Sequence, residues 1–256
     1  MASVFSLLDK KALVIGASNS VGRAIAVALA EAGADVAVAT TTRAQAEEVI
    51  ANSCSNEMWA LNRKSFAQSI DAASEADVEA LVARTVSELG GLDVLVNAQD
   101  LPFAKPLLET SFEEWRRVLD ANVSGMFLAS KAAVRVMLPH EKGRIINVAS
   151  VLGERGMGNG AAYCTAQAGV FNLTRALALE LAREGINVNA IGAGWTEGMG
   201  IIGGDEGRQQ LERYLPYKRL AKPEEIGGSA VYVASDAAAY LTGQVVWIEG
   251  GALSHV

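Results

Sequence analysis

Short β-rich apolar runs alternate with helical stretches along the whole chain, and few architectures accommodate that order. Strands separated each time by a helix pair in parallel across crossovers, so the pattern predicts an α/β fold, a doubly wound parallel sheet with helices on both faces. The runs are Ala12 to Ile15, Asp35 to Thr40, Met58 to Leu61, Asp93 to Asn97, Arg144 to Ala149, Asn187 to Ile191 and Val245 to Ile248, which gives about seven strands. Between them, Gly22 to Ala32 is alanine-rich and stops at Gly33, and Asp77 to Leu89 stops at Gly90-Gly91, as helices do. Thr110 or Ser111 can cap a helix through Trp115, with Glu113 or Glu114 closing a capping box. No repeat, charge run or low-complexity linker interrupts the order, so residues 1–256 read as a single domain. Its least regular stretch is Gly192 to Leu215, whose glycines (Gly194, Gly198, Gly200, Gly203, Gly204 and Gly207) suit either a mobile segment over a pocket or a plain surface loop.

Composition narrows the function classes. With 50% hydrophobic and 20% charged residues the chain is globular in character, and a net charge of -7 without a basic cluster speaks against nucleic acid and against an anionic membrane surface. The two cysteines, Cys54 and Cys164, form no C-x-x-C pair, and the two histidines, His140 and His255, lie near an expected helix end and at the terminus. Neither a disulfide framework nor a metal site is expected. The opening residues lack a basic region and an apolar core of leader length, and later apolar runs are broken by Glu31, Asp35 or Arg135, so a cytoplasmic protein is expected.

Directly after the first strand comes Gly16-Ala17-Ser18-Asn19-Ser20-Val21-Gly22, running into a helix. A strand, a glycine turn and a helix N-terminus make a phosphate cradle, because unpaired N–H groups and the helix dipole face an anion there. Ser20 stands where a glycine usually lets a pyrophosphate approach the backbone, so its hydroxyl either crowds the phosphate or bonds to it. The second strand ends in Thr40-Thr41-Thr42-Arg43 with no acidic residue for a ribose 2′-hydroxyl. Hydroxyls and an arginine favour a 2′-phosphate, hence NADP(H) over NAD(H), unless Arg43 is simply solvated.

At the other end of the sheet, Ser150 closes the run Ile145 to Ala149, at the carboxyl edge where open α/β sheets place ligands. Tyr163 follows 13 residues later at the start of a long helix, with Gln167 one turn further on the same face. A serine, a tyrosine and an i+4 partner converging on one cleft would make a proton-transfer site.

With these motifs the chain resembles the short-chain dehydrogenase/reductase family, in its 3-oxoacyl-carrier-protein-reductase-like branch, over almost its whole length. The resemblance rests on the glycine turn, Asp71, Leu92 to Asn97, Asn122 to Phe127, Gly143 to Asn147, the Ser150/Tyr163 spacing, and Leu241 to Gln244 ahead of Glu249-Gly250-Gly251. It implies a Rossmann-type dinucleotide-binding domain, a small-molecule substrate and a homotetramer. By position it implies that Tyr163 exchanges a proton with a carbonyl or alcohol oxygen, that Ser150 orients the substrate and that Asn122 holds a relay water. Gln167 then stands where the family has a lysine. The cofactor contacts it implies are Gly16, Ser18, Asn19, Ser20, Val21, Gly22, Thr41, Arg43, Asp71, Asn97 and Gly194.

The departures lie where cofactor and substrate should meet. Gln167 carries no charge, whereas a cation about 4 Å from a phenolate is worth on the order of 4 kcal/mol at an effective dielectric near 20, or roughly three pKa units. Tyr163 is therefore expected near its ordinary value of about 10. Asp100 replaces a glycine in Asn97-Ala98-Gln99-Asp100, Ala193 replaces a proline, and Gly198 replaces a threonine. Three readings remain open on the sequence: an NADP(H)-dependent ketone/alcohol oxidoreductase, a non-redox enzyme using Ser150 and Tyr163 without a cofactor, and a binding homologue that has lost catalysis. Halohydrin dehalogenases exemplify the second class, although they use an arginine where this chain has Gln167.

Overall fold

The computed structural model describes residues 3–200 and 203–254. Seven strands form one parallel sheet: β1 (Lys11–Ile15), β2 (Asp35–Ala39), β3 (Ala67–Gln68), β4 (Val94–Asn97), β5 (Gly143–Ser150), β6 (Ile186–Ala193) and β7 (Val245–Ile248). Their spatial order is β3-β2-β1-β4-β5-β6-β7, so the chain winds outward from β1 in one direction and then from β4 in the other. That reversal leaves a crevice beyond the carboxyl ends of β1 and β4.

Among the described residues there are eight α-helices: α1 (Ser20–Glu31), α2 (Gln45–Ala60), α3 (Glu75–Leu89), α4 (Phe112–Leu119), α5 (Gly125–Met137), α6 (Ala161–Leu181), α7 (Gly204–Tyr214) and α8 (Pro223–Ala234). All but α4 and α7 cover the sheet faces, the strands between β3 and β7 are buried on both sides, and their side chains alternate between two cores. Val14, Val36, Val38, Val94, Val96 and Ile146 pack with residues of α1, α2 and α8. Leu13, Ile15, Ala37, Leu95 and Ile145 pack on the other face with α3, α5 and α6.

Helix ends follow the expected chemistry. Asn19 caps α1 by accepting the Gly22 N–H at 2.8 Å. Ser74 caps α3, which stops at Gly90 in the left-handed region at φ +89°. Ser111, and not Thr110, caps α4, with Glu114 returning a bond of 2.8 Å to the Ser111 N–H.

One expected strand is a helix. Met58 to Leu61 forms the end of α2, where Ala51, Cys54, Ser55 and Met58 make a buried stripe at helical spacing while Trp59 and Leu61 face outward. The true edge strand is only Ala67–Gln68, and it pairs with Val38 and Ala39. The segment from Gly192 is more ordered than expected: its first two residues belong to β6, and α7 begins at Gly204. Ile201 and Ile202 of that segment lie outside the described residues. No helix among the described residues is long and apolar enough to cross a membrane, and no cluster of His, Cys, Asp or Glu among them could hold a metal ion.

Candidate active site

The glycine turn after β1 is built by close backbone approach. Gly16 sits at φ +97°, and a Cβ on it would lie 2.4 Å from the Ala98 carbonyl oxygen; one on Gly22 would lie 2.3 Å from the Gly16 oxygen. Asn19 ties the turn to the strand beside it by donating to Ala98 O at 2.7 Å. Gly16→Ala is therefore expected to destabilise the fold by about 1–3 kcal/mol from backbone strain alone, and an unchanged urea midpoint would contradict this packing.

Two cavities run along the carboxyl edge of the sheet from this turn. The first, of about 180 Å³, is lined by Asn19, Ser20, Val21, Asp100, Ser150, Tyr163, Gln167 and Gly194, with Val148, Pro102 and Met199 as apolar walls. The second, of about 760 Å³, runs past Thr41, Asp71 and Ala121. Both are lined by Gln99 and Asp100, so the two cavities adjoin there, and these residues mark the waist of the trough that the pair makes along the sheet edge.

At the catalytic end four residues are joined in series. The Ser150 N–H donates to Gln167 Oε1 at 2.8 Å, and Gln167 Nε2 lies 3.4 Å from Asp100 Oδ1. Tyr163 donates its hydroxyl to the same Asp100 oxygen at 2.7 Å, and the Ser150 hydroxyl is near enough to the phenol to pull its pKa down. Gln167 is thus turned inward, one end fixing the serine and the other facing the carboxylate; a second contact of 3.4 Å reaches Asn122 Oδ1. Tyr163 is fully buried.

The electrostatics follow from that series. Burial pushes the Asp100 carboxyl up to about 6, against the bond from Tyr163, which pulls it down. Tyr163 does not sit near its ordinary value as expected from the sequence: burial, then the Asp100 charge and the bond it accepts, push it well above 10, while the Ser150 hydrogen bond opposes them. A carboxylate, rather than a cation, therefore stands on the phenol.

Asn122 lies in a π-helical turn, Asp120–Ser124, between α4 and α5. Its amide accepts from the Leu101 N–H at 2.9 Å and donates to the Leu101 and Val118 oxygens at 3.1 and 2.9 Å. It thereby clamps the backbone immediately after Asp100 and sets where that carboxylate points.

The other expected contacts divide. Ser20 donates to the Glu197 oxygen at 3.1 Å and meets Gly198, joining the turn to the loop after β6. Ser18 and Thr41 converge on Glu47, whose carboxylate accepts from the Ser18 hydroxyl at 3.1 Å, the Thr42 hydroxyl at 2.9 Å and the Thr41 and Thr42 N–H groups at 3.2 and 3.3 Å. Arg43, itself exposed, donates to the more buried Asp77 carboxylate at 2.6 and 3.2 Å. Asp71 accepts from the Ala73 N–H at 2.9 Å at the wall of the larger cavity. Asn97 is not brought into the trough: its amide points into the core, donating to Asn147 Oδ1 at 2.8 Å and Ser130 Oγ at 3.2 Å. Gly16, Gly22, Ser18 and Arg43 line neither cavity. Gln99, Thr196 and Met199 do line the first and were not singled out from the sequence; Gln99, beside Asp100 in a departure from the family pattern, was the one with a visible signal.

The donor set at the trough suits a dinucleotide. Gln99 is 1% exposed yet neither its Oε1 nor its Nε2 has a partner, an amide left unsatisfied at the waist.

A sequence model of the family described as Enoyl-(Acyl carrier protein) reductase matches residues 16–252. A crystal structure of a short-chain type dehydrogenase/reductase from Mycobacterium marinum superposes with a TM-score of 0.86 at 35% identity, covering 98% of each chain. The chain belongs to the short-chain dehydrogenase/reductase family. Among its relatives in this family is a 3-oxoacyl-[acyl-carrier-protein] reductase from Staphylococcus aureus, 37% identical over 246 residues that span 95% of this chain and 98% of the relative. Another, from Synechocystis sp., is 35% identical over 257 residues, covering 96% and 98%. A 7α-hydroxysteroid dehydrogenase, solved with NADH and 7-oxo glycochenodeoxycholic acid, superposes with a TM-score of 0.91 at 29% identity, covering 96% of this chain and 95% of the other. As a short-chain dehydrogenase/reductase, the chain is an enzyme of the oxidoreductase type.

Proposed function

We propose that this short-chain dehydrogenase/reductase is an NADP(H)-dependent oxidoreductase that interconverts a ketone and a secondary alcohol. The observation that carries the reading is that Ser150 and Tyr163 line one cavity together with Asn19, Ser20 and Val21 of the glycine turn, and that this cavity adjoins the larger one beside Thr41 and Asp71. Ser20, Gln99, Asp71 and the Thr41–Arg43 segment would hold the dinucleotide, which when bound supplies or takes a hydride at the substrate carbon. Ser150 Oγ orients the substrate oxygen, and Tyr163 Oη gives it a proton in reduction or accepts one in oxidation. Gln167 holds the Ser150 backbone and faces Asp100. The small-molecule substrate is uncharged at the reacting end, since an anion would meet Asp100 in a cavity with apolar walls. Arg43 and the hydroxyls of Thr41 and Thr42 support NADP(H) over NAD(H), with Arg43 leaving Asp77 for the 2′-phosphate.

The same reading places the enzyme in the cytoplasm as a homotetramer. Phe127 on α5 and Leu179 on α6, exposed at 45% and 85%, leave apolar surface on two helices for neighbouring copies. The non-redox alternative is favoured by one observation, the Asp100 carboxylate held on the Tyr163 hydroxyl at 2.7 Å.

Titration with NADPH and NADH, read by fluorescence or calorimetry, separates them. Saturable binding, tighter for NADPH, with oxidation of the bound cofactor in the presence of a ketone is the expected result. No binding at millimolar cofactor would leave the non-redox reading.

A further inference from the structure

Asp100 stands at the waist of the trough, with one edge on the catalytic cavity and one on the larger cavity. Its Oδ1 receives the Tyr163 hydroxyl at 2.7 Å and has the neutral amide of Gln167 on α6 at 3.4 Å, which in turn lies 3.4 Å from the neutral amide of Asn122. The charged groups on the walls of the larger cavity are Glu47, Asp71, Glu113, Arg116, Arg117 and Asp120. None of them contributes to the shift of Asp100, which comes from burial and Tyr163 alone. A carboxylate in this position opposes formation of a Tyr163 phenolate, so a tyrosine that gave up its proton alone would leave two like charges 2.7 Å apart in a buried site.

We propose that Asp100 is the second member of a proton relay, in which Asp100 Oδ1 and Tyr163 Oη exchange one proton while Tyr163 Oη and the substrate oxygen exchange another. The relay rests on the oxidoreductase reading above and says how its proton moves. In reduction the carbonyl carbon takes the hydride, the former π pair on oxygen takes the proton of Tyr163 Oη, and Oη takes the proton of Asp100. Asp100 is left as a carboxylate and regains a proton from water in the larger cavity. The sum is ketone plus hydride plus proton giving alcohol, and no phenolate accumulates. In oxidation the same groups run in reverse: the Asp100 carboxylate accepts the Tyr163 proton as Oη takes the proton of the alcohol.

The sign of the pH dependence is fixed by which form of Asp100 each direction consumes. Reduction uses the protonated carboxyl, so its kcat falls as pH rises through about 6; oxidation uses the carboxylate, so its kcat rises over the same interval. Asp100→Asn removes the proton reservoir but keeps a side chain of the same shape. The expected results are loss of both limbs, a drop in kcat of about 10²-fold, and little change in NADPH affinity or substrate KM. A proton inventory in H₂O/D₂O mixtures should be curved in the wild type, where two protons move together, and linear in the variant. In the cofactor-free protein, carbon-13 NMR should show one carboxyl titrating near pH 6, absent from Asp100→Asn and displaced upward in Tyr163→Phe. Asp100→Gly serves if the asparagine perturbs folding.

Persistence of the pH limbs and of the curved inventory in either variant overturns the relay, as does a carboxyl that ignores Tyr163→Phe. The oxidoreductase reading fails differently, through absence of NADPH binding in a protein whose Asp100 and Tyr163 still titrate together.

Discussion

Tyr163→Phe is expected to lower kcat/KM for ketone reduction by about 10²- to 10⁴-fold, the range for loss of a positioned general acid. The variant keeps the ring in a site that is 0% exposed, so packing survives and the loss reports on one hydroxyl. The hydroxyl does more than deliver a proton, because its bond to Asp100 is what holds that carboxyl down against burial. Without it the Asp100 carboxyl should titrate above 6 and be mostly protonated at neutral pH. A protonated carboxyl is still a hydrogen-bond donor, so the residual activity should itself be acid-favoured. Steady-state rates between pH 5 and 8 check both statements, and a variant with near wild-type kcat would remove Tyr163 from the proton path.

The second large effect is expected from Gln167→Lys, and its direction differs from what the sequence alone suggests. Beside a lone phenol, a lysine would lower the tyrosine's pKa by roughly three units. Here the amide nitrogen it replaces lies 3.4 Å from Asp100, so the new ammonium pairs with the carboxylate first. Asp100 should fall well below 6, and Tyr163 should gain little. The Ser150 N–H also loses its acceptor, at a cost of about 1–3 kcal/mol for a buried donor left unsatisfied. The single variant should therefore melt lower and reduce ketones no faster near neutral pH. Adding Asp100→Gly to it removes the competing anion and should raise the rate above that of Asp100→Gly alone. A clear gain from Gln167→Lys by itself would show that the carboxylate does not shield the phenol.

Much of the architecture was legible because buried parallel strands must read as continuous apolar runs, and six of the seven runs coincide with strands of the sheet. Met58 to Leu61 failed because a run of four apolar residues carries no period of its own; the helical stripe from Ala51 to Met58 is visible only over a longer window. The Ser150/Tyr163 spacing pointed to one cleft, and the fold brings both to the same cavity. What spacing could not give was the direction of side chains. Asn97 sits at the end of β4 where either face was open to it, and the pleat turns it toward Asn147 in the core. Glu47 follows the end of β2 by only eight residues, but no spacing rule says that the first turn of α2 folds it back over Thr41 and Thr42. Asp100 was visible as an exchange for glycine; that it would bond Tyr163 depends on the Asn122 clamp, which no local pattern encodes.

The series of bonds from the Ser150 N–H through Gln167 and Asp100 to Tyr163 has a consequence for any mutational study of this enzyme. Gln167 and Asp100 each touch two others across β5, α6 and the segment after β4, so removing either loosens contacts that belong to the rest. Free-energy changes from single substitutions should therefore not sum, and coupling between members of roughly 0.5–3 kcal/mol is the scale such neighbours show. A complete double-mutant cycle is the smallest unit in which any two of the Gln167, Asp100 and Tyr163 side chains can be ranked.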